Sequence, residues 1–254
     1  MAMSLTIRLL EGLPIVRSGD DLCDLIITAL AASDTPLVDG DVVVVAQKIV
    51  SIAEGRQVRL SEVQPSAKAL ELASEAEKDP CIVELILGES VDILRVKPGV
   101  IIARHRLGIV GANAGIDQSN IDHADGECAL LLPKNPDKSA RLLRDALMQT
   151  SERQLGVIIS DSMNRPWRLG STGNAIGSAG LAVLDDKRGQ SDLFGRELKV
   201  TLCNRADAIA AAAVLIMGET TEQTPVAIVS GLPADDGAQT AADSIRPLAD
   251  DLFP

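Results

Sequence analysis

The sequence predicts an α+β fold, and three observations carry that expectation. Short apolar runs of strand length recur at 41–45, 157–160 and 225–230, separated by unequal stretches with helical patterns. These do not alternate in the regular strand–helix rhythm of a doubly wound sheet. Hydrophobic residues make up 46% of the 254 residues but aromatic residues only 1%, so a sizeable core must be assembled from Ala, Val, Ile and Leu.

Taken in order, residues 41–45 (DVVVV) follow a Gly40-Asp41 turn and read as a buried strand. Residues 66–78 read as a helix, with Ser66 as N-cap and Leu70 and Ala73 on one face. Residues 81–87 start a second short helix, stopped by Gly88. From 91 to 111 the pattern turns β-rich, broken at Pro98-Gly99 and Leu107-Gly108. Residues 139–148 form an amphipathic helix whose stripe is Leu142, Leu143, Ala146 and Leu147, with Arg141, Arg144 and Asp145 elsewhere and Gly156 closing it. Residues 157–160 read as a buried strand, 198–202 as a strand, 206–217 as an Ala-rich helix and 225–230 as a strand. The last twenty residues, acidic and small, read as a tail or weak helix. No linker is visible. The chain reads as one domain over 1–254, with any subdomain boundary falling between 130 and 150.

Charge and composition exclude several classes. A net charge of -12 and a pI near 4.6 argue against a binder of phosphate backbones. Trp167, Phe194 and Phe253 are the only aromatic residues, too few for base-stacking platforms, so no nucleic-acid partner is expected. A phosphate ligand stays compatible where a metal ion or a local basic cluster offsets the charge. Cys23, Cys81, Cys128 and Cys203 form no CxxC pair and read as buried thiols in a reducing compartment, not as a zinc site or disulfide framework. The opening MAMSLTIRLL lacks the pattern of a secretory leader, and apolar runs such as 209–217 are too short to span a bilayer. A cytoplasmic protein without a membrane partner is expected.

Five segments are candidates for chemistry. In GANAGIDQSN (111–120) small residues permit close backbone approach, and Asp117 and Asn120 offer hard oxygen atoms; an ordinary Asx-rich loop explains the same residues. In VIISDSMNRPWRLGSTGNAIGSAG (157–180) a strand delivers Asp161 and Ser162 at its C-terminal end, a donor pair suited to Mg²⁺ or Mn²⁺. Arg165 and Arg168 follow and suit an anion, while the recurring Gly170, Gly173, Gly177 and Gly180 equally describe a turn with close strand packing. MGETTEQTP (217–225) reads by itself as a helix C-cap and solvated loop containing Glu219 and Glu222. GLPIV (12–16) and VAQKIVSIAEG (45–55) carry no meaning from spacing alone. His105 and His123 fit no zinc spacing and read as surface or loop residues, and no Ser-His-Asp or Cys-His arrangement is present.

Together these segments resemble, in order and spacing, the coenzyme F-420 gamma-glutamyl ligases, over roughly residues 5–230. The chain is also similar to the N-terminal half of longer bacterial members that add a flavin-reductase-like domain. The resemblance implies a two-part mixed-sheet α+β fold, an intertwined homodimer, and a nucleotide held in a groove. It implies GTP-dependent addition of L-glutamate to a deazaflavin precursor, with further glutamates through gamma linkages. The implied cofactor is Mg²⁺ or Mn²⁺, with K⁺ as an additional candidate. Carried over residue by residue, the metal ligands fall on Asp117, Asp161, Ser162 and Glu219. Nucleotide contacts fall on Leu13, Pro14, Ile15, Val16, Gln47, Lys48 and Asn120, and on the loop from Met217 through Gly218, Thr220 and Thr221 to about Val226. Arg165 and Arg168 are the candidates for the substrate phosphodiester or the glutamate carboxylates. No general base is identifiable.

Three departures stand out. Ile52 replaces the Lys often found there as a nucleotide contact, Asp161-Ser162 replaces Asp-Thr, and Asn164 replaces the Gly often seen before the first Arg. The first keeps open a ligase of the same fold on another acidic substrate. A non-catalytic metal- or nucleotide-binding homologue is the other alternative, against which the retained acids weigh. If residues 45–53 are extended, Lys48 and Ile52 share a face roughly 13 Å apart, and Lys48 carries the phosphate-facing charge.

Overall fold

The computed structural model describes residues 4–33, 36–124, 126–233, 235 and 237–251. In chain order the elements are β1 (Thr6–Leu9), α1 (Leu22–Ala32), β2 (Val42–Ala46), α2 (Gln47–Ala53) and β3 (Gln57–Arg59). Then come α3 (Ala67–Ala76), α4 (Pro80–Glu89), β4 (Ser90–Lys97), β5 (Val100–His105), β6 (Val110–Ala112) and β7 (Cys128–Leu130). The chain closes with α5 (Pro136–Ser151), β8 (Gly156–Asn164), β9 (Ser171–Ala179), β10 (Leu184–Asp186), β11 (Leu202–Asn204), α6 (Arg205–Met217) and β12 (Val226–Ser230). The architecture is α+β with a mixed central sheet. No helix of the described residues is long and apolar enough to cross a membrane.

The central sheet has the order β1-β12-β2-β8-β9, and only β2 and β8 run parallel. The all-Val run of β2 is explained by coverage on both faces, since successive strand residues point to opposite sides. Val43 and Val45 join Ile26 and Ala29 of α1 and Leu143 and Leu147 of α5. Val42 and Val44 join Ile209, Ala210 and Ala213 of α6 on the other side. Residues 57–131 gather a third core, in which Ala69, Ala73, Ile82, Val83 and Ile86 of α3 and α4 pack on Ile101 and Ala103 of β5.

One buried ionic knot ties this part to the central sheet. Arg56, leaving the end of α2, donates from Nη2 to Glu89 at 2.7 Å and from Nε to the Leu132 carbonyl at 2.9 Å. Arg106 Nη1 donates to Glu89 at 2.9 Å. His105 accepts the Leu107 N–H on Nδ1 at 3.0 Å, which leaves Nε2 to donate to Glu89 at 3.3 Å.

Several expectations need correction. Helix α4 runs through Gly88 to Glu89, because burial of Ile82, Val83 and Ile86 outweighs the roughly 1 kcal/mol helical penalty of one glycine. Helix α5 begins at Pro136 behind the Asn135 cap and ends at Glu152 in the left-handed region, while Gly156 opens β8. Its buried stripe is Ala140, Leu143 and Leu147, and Leu142 is exposed. In α3 the buried face is Ala69, Ala73 and Ala76, with Leu70 outside. The strand expected at 198–202 is confined to Leu202–Asn204. Residues 47–53 are helical, not extended. His105 is buried and Cys203 exposed, and Cys128 alone of the four thiols is fully buried. The acidic C-terminal stretch forms two 3-10 turns, Ala241–Ser244 and Leu248–Asp250, and residues 252–254 lie outside the described residues.

Candidate functional site

The parallel pairing of β2 with β8 stops at Ala46 and Ser160, where β2 ends. The ends of adjacent parallel strands are the natural mouth of such a sheet. There β2 passes straight into α2, and β8 continues through Asp161 and Ser162. A groove of about 550 Å³ opens at this mouth. It collects residues 13–16 before α1, the first turns of α2, Asp117, Ser119 and Asn120 from the 57–131 part, Ser160 to Ser162, and the loop that follows α6. All the residues expected to touch nucleotide or metal line it: Leu13, Pro14, Ile15, Val16, Gln47, Lys48, Asp117, Asn120, Asp161, Ser162, Met217, Gly218, Glu219, Thr220 and Thr221. Arg165 and Arg168 do not line it. They are exposed on the turn joining β8 to β9.

Each part of the lining is held by local chemistry. Asn113, Ala114 and Gly115 are all left-handed, at φ 53, 53 and 70, and a Cβ on Gly115 would lie 2.8 Å from Leu132. This tight turn aims Asp117, whose Oδ1 accepts the Ser119 N–H at 2.8 Å in an Asx turn. Lys48 donates to Asp117 Oδ2 and to both the carbonyl and Oγ of Ser119, each at 2.9 Å. Gln47 is buried, and its Oε1 accepts from Ser51 Oγ at 2.9 Å. Ser162 Oγ donates to Glu219. Behind it the loop folds on itself: Glu222 accepts from Thr220 N at 2.8 Å and Thr220 Oγ1 at 3.1 Å, and Thr224 Oγ1 donates to the Met217 carbonyl at 2.8 Å.

The repeated glycines of β9 serve packing. A Cβ on Gly173 would come within 2.6 Å of the Ala210 carbonyl in α6, and one on Gly177 within 2.4 Å of the Pro136 backbone in α5. Residues four apart on a regular strand share a face. These two face opposite helices because the register slips by one between Ile159 and Ser160, just before Asp161.

Negative charge crowds the mouth. Burial is the main cause that pushes the Asp161 carboxyl up to about 7; the Ser162 N–H and Lys48 oppose it, and the charges of Asp117 and Glu219 add to it. Burial also acts on Asp117, but the Lys48 hydrogen bond, the Ser119 N–H and the Lys48 charge overcome it and hold that carboxyl low. Three carboxylates and a hydroxyl are the oxygen donors a hard divalent ion takes. The donor set fits such an ion in its chemistry. It is not drawn together into a cage: among the described residues no three acids, histidines or cysteines stand close enough to hold a metal ion.

Ile52 lines the groove one turn beyond Lys48. The two share a face at helical spacing, with Cβ atoms about 5–6 Å apart, instead of the separation an extended segment would give. Sequence reasoning missed Ser119, Ser160 and Ser171 among the lining residues. The Asp-x-Ser spacing of Asp117 and Ser119 is an Asx-turn signal that points to the first; nothing local marks the other two.

Comparison with known proteins points to one family. The family model described as F420-0:Gamma-glutamyl ligase matches residues 12–231. The chain is 44% identical to a protein named Coenzyme F420:L-glutamate ligase from Methanothermobacter thermautotrophicus, over 99% of each chain. A protein of the same name from Methanopyrus kandleri is 44% identical over 94% of this chain and 93% of its own. Another from Methanocaldococcus jannaschii is 40% identical over 95% and 94%.

Proposed function

Since the chain belongs to the F420-0:gamma-glutamyl ligase family and is an enzyme of the ligase class, we propose that it joins L-glutamate to the carboxylate of a deazaflavin precursor at the expense of GTP. The observation that carries this reading is the convergence of five distant segments, with every nucleotide and metal candidate among them, on one groove. The names of the relatives supply L-glutamate and coenzyme F420.

The chemistry follows from the reactants. A carboxylate resists attack by an amine because oxide is a poor leaving group. Transfer of the γ-phosphoryl group to the carboxylate oxygen gives an acyl phosphate and GDP. The glutamate nitrogen then forms the C–N bond, the C–O bond to phosphate breaks, and the nitrogen gives up a proton. Asp117, Asp161, Ser162 and Glu219 would hold Mg²⁺ or Mn²⁺, which when bound supplies positive charge against the triphosphate; K⁺ is a further candidate for the same negative mouth. Lys48 brings an ammonium to the groove, and Leu13, Ile49, Ile52 and Met217 give it an apolar wall. A cytoplasmic location is part of this reading.

Mass spectrometry after incubation with precursor, GTP, Mn²⁺ and L-glutamate should show product heavier by one or more glutamates, with phosphate released in step. Phosphate release without added mass would move the chain to another acidic acceptor, and tight nucleotide binding without turnover would make it a binding homologue. Ile52 bears on nucleotide choice. Ile52→Lys should lower the KM for GTP or leave it unchanged in steady-state assays, and a rise would show that the apolar wall is itself selected for the nucleotide.

We further propose a homodimer. Trp167 is 87% exposed, Leu169 100%, Leu193 92% and Phe194 91%, all on protruding turns. Apolar surface of this kind marks an interaction site, and a second copy is the occupant this family reading calls for. The same turn carries Arg165 and Arg168, so a substrate role for them depends on where the dimer places it. Light scattering at micromolar concentration should give about twice the 26.7 kDa chain mass. An active monomer would refute the assembly.

A further inference from the structure

We infer that Lys48 is the resident counter-cation of Asp117, and that its ammonium and a divalent ion take turns on that carboxylate. The inference rests on the metal-binding reading of the groove. The ammonium has three donors, and the structure gives each an acceptor: Asp117 Oδ2, the Ser119 carbonyl and Ser119 Oγ. The carboxylate is equally engaged. Its Oδ1 takes the Ser119 N–H, and its Oδ2 takes both Lys48 and the Ser119 hydroxyl. A cation binding through Oδ2 has to displace the ammonium.

The supports of the two groups show which one moves. Asp117 is fixed by a left-handed turn, by backbone pairing with Leu130 and by its own Asx turn. Lys48 stands at the end of a flexible four-carbon stem on the first turn of α2; its side chain is 27% exposed and that of Asp117 41%, so the backbone supports of Asp117, not exposure, set the difference. The ammonium is therefore the group that leaves. Among the described residues Lys48 is the single lysine of a groove lined by Asp117, Asp161, Glu219 and Glu222, so an ammonium leaving Asp117 needs another anion within reach. A triphosphate entering the same groove supplies that anion. The exchange makes the divalent ion and the nucleotide bind as a coupled pair, each more tightly in the presence of the other.

The test titrates Mn²⁺ alone, followed by electron paramagnetic resonance, into wild type, Lys48→Met, Asp117→Asn and the double variant. Lys48→Met should tighten Mn²⁺ about fivefold or more, and the same change in the Asp117→Asn background should alter it less than about twofold. Mn²⁺ binding that is unchanged or weaker in Lys48→Met overturns the exchange. So does a gain that persists in the Asp117→Asn background, which would reveal only the general field of a lost charge. Either result leaves the metal site standing, whereas failure of wild type and Lys48→Met alike to bind Mn²⁺ removes both. A second readout needs no substitution: the NMR signal of ¹³C-dimethylated Lys48 should shift on adding Mg²⁺ alone, and a signal that stays in place counts against the exchange.

Discussion

Asp161→Asn is expected to cut turnover by about 10² to 10⁴ while leaving the fold intact. The substitution removes one negative charge from the mouth of the groove and keeps an oxygen for the Ser162 N–H that Asp161 now accepts at 2.9 Å. It should also change stability in a way that separates function from packing. The folded carboxyl titrates at about 7, above its usual 3.8, because burial and the charges of Asp117 and Glu219 disfavour ionisation. A raised acid costs nothing while protonated and destabilises progressively as pH climbs from about 4 through 7. Asn carries no such charge, so the variant should gain on wild type over that window, by an amount on the order of a few kcal/mol at pH 8 without added metal. Chemical denaturation at pH 5 and pH 8, beside steady-state kinetics at saturating Mn²⁺, checks both halves. Turnover near wild type would remove Asp161 from the reaction. A loss of stability at pH 8 would show that its charge is satisfied in a way the geometry does not reveal.

That an acid follows the apolar part of a buried strand was legible from the sequence. The apolar run before Asp161-Ser162 announced a buried strand, and the Val run of β2 its covered neighbour, but β8 continues to Asn164, so these oxygen donors lie within the strand and not at its end. Ser66 announced the start of α3. The order of the sheet was not legible, because β12, from the far end of the chain, inserts between β1 and β2, and no local pattern encodes such a pairing. The stretch after β2 was open to misreading for a physical reason. Its β-branched Ile49, Val50 and Ile52 suit a strand, and only packing of Ile49 and Val50 into the core under α1 makes it a helix. Helix α5 was shifted because the stripe was read from Leu142, whereas the Asn135 cap and Pro136 start it earlier and bring Ala140 to the buried side. In the groove, residue types were readable and contacts were not. Lys48 and Asp117 lie 69 residues apart, and their pairing depends on how the 57–131 part meets α2. His105 was misread outright: a lone histidine looks superficial until its neighbours, Glu89 and the Leu107 N–H, come from the folded chain.

Glu89→Ala should be the most damaging single change away from the groove, lowering stability by about 3–5 kcal/mol. Glu89 is buried and is the common partner of Arg56, Arg106 and His105. Its loss strands the Arg56 guanidinium, whose side chain is only 11% exposed and keeps one bond to the Leu132 carbonyl. Burial works to raise the Glu89 carboxyl, but the His105 and Arg56 hydrogen bonds and the charges of Arg56 and Arg106 outweigh it and bring it to about 2. A depressed acid contributes stability that is complete above its ordinary value near 4.5 and is lost as pH falls toward 2. Wild type should therefore weaken steeply across that window, and Glu89→Ala should lose most of this slope. The consequence reaches the groove because the knot lies between its two halves. Arg56 continues from the helix that carries Lys48, and Glu89 ends the helix of the part that carries Asp117. With the knot removed, Asp117 is held against Lys48 by fewer contacts, so the KM for the divalent ion should rise more than kcat falls. Denaturation curves from pH 2 to pH 7, with metal dependence of the rate, distinguish these effects. Stability within about 1 kcal/mol of wild type and an unchanged acid limb would mean that the central sheet positions Asp117 without this ionic tie.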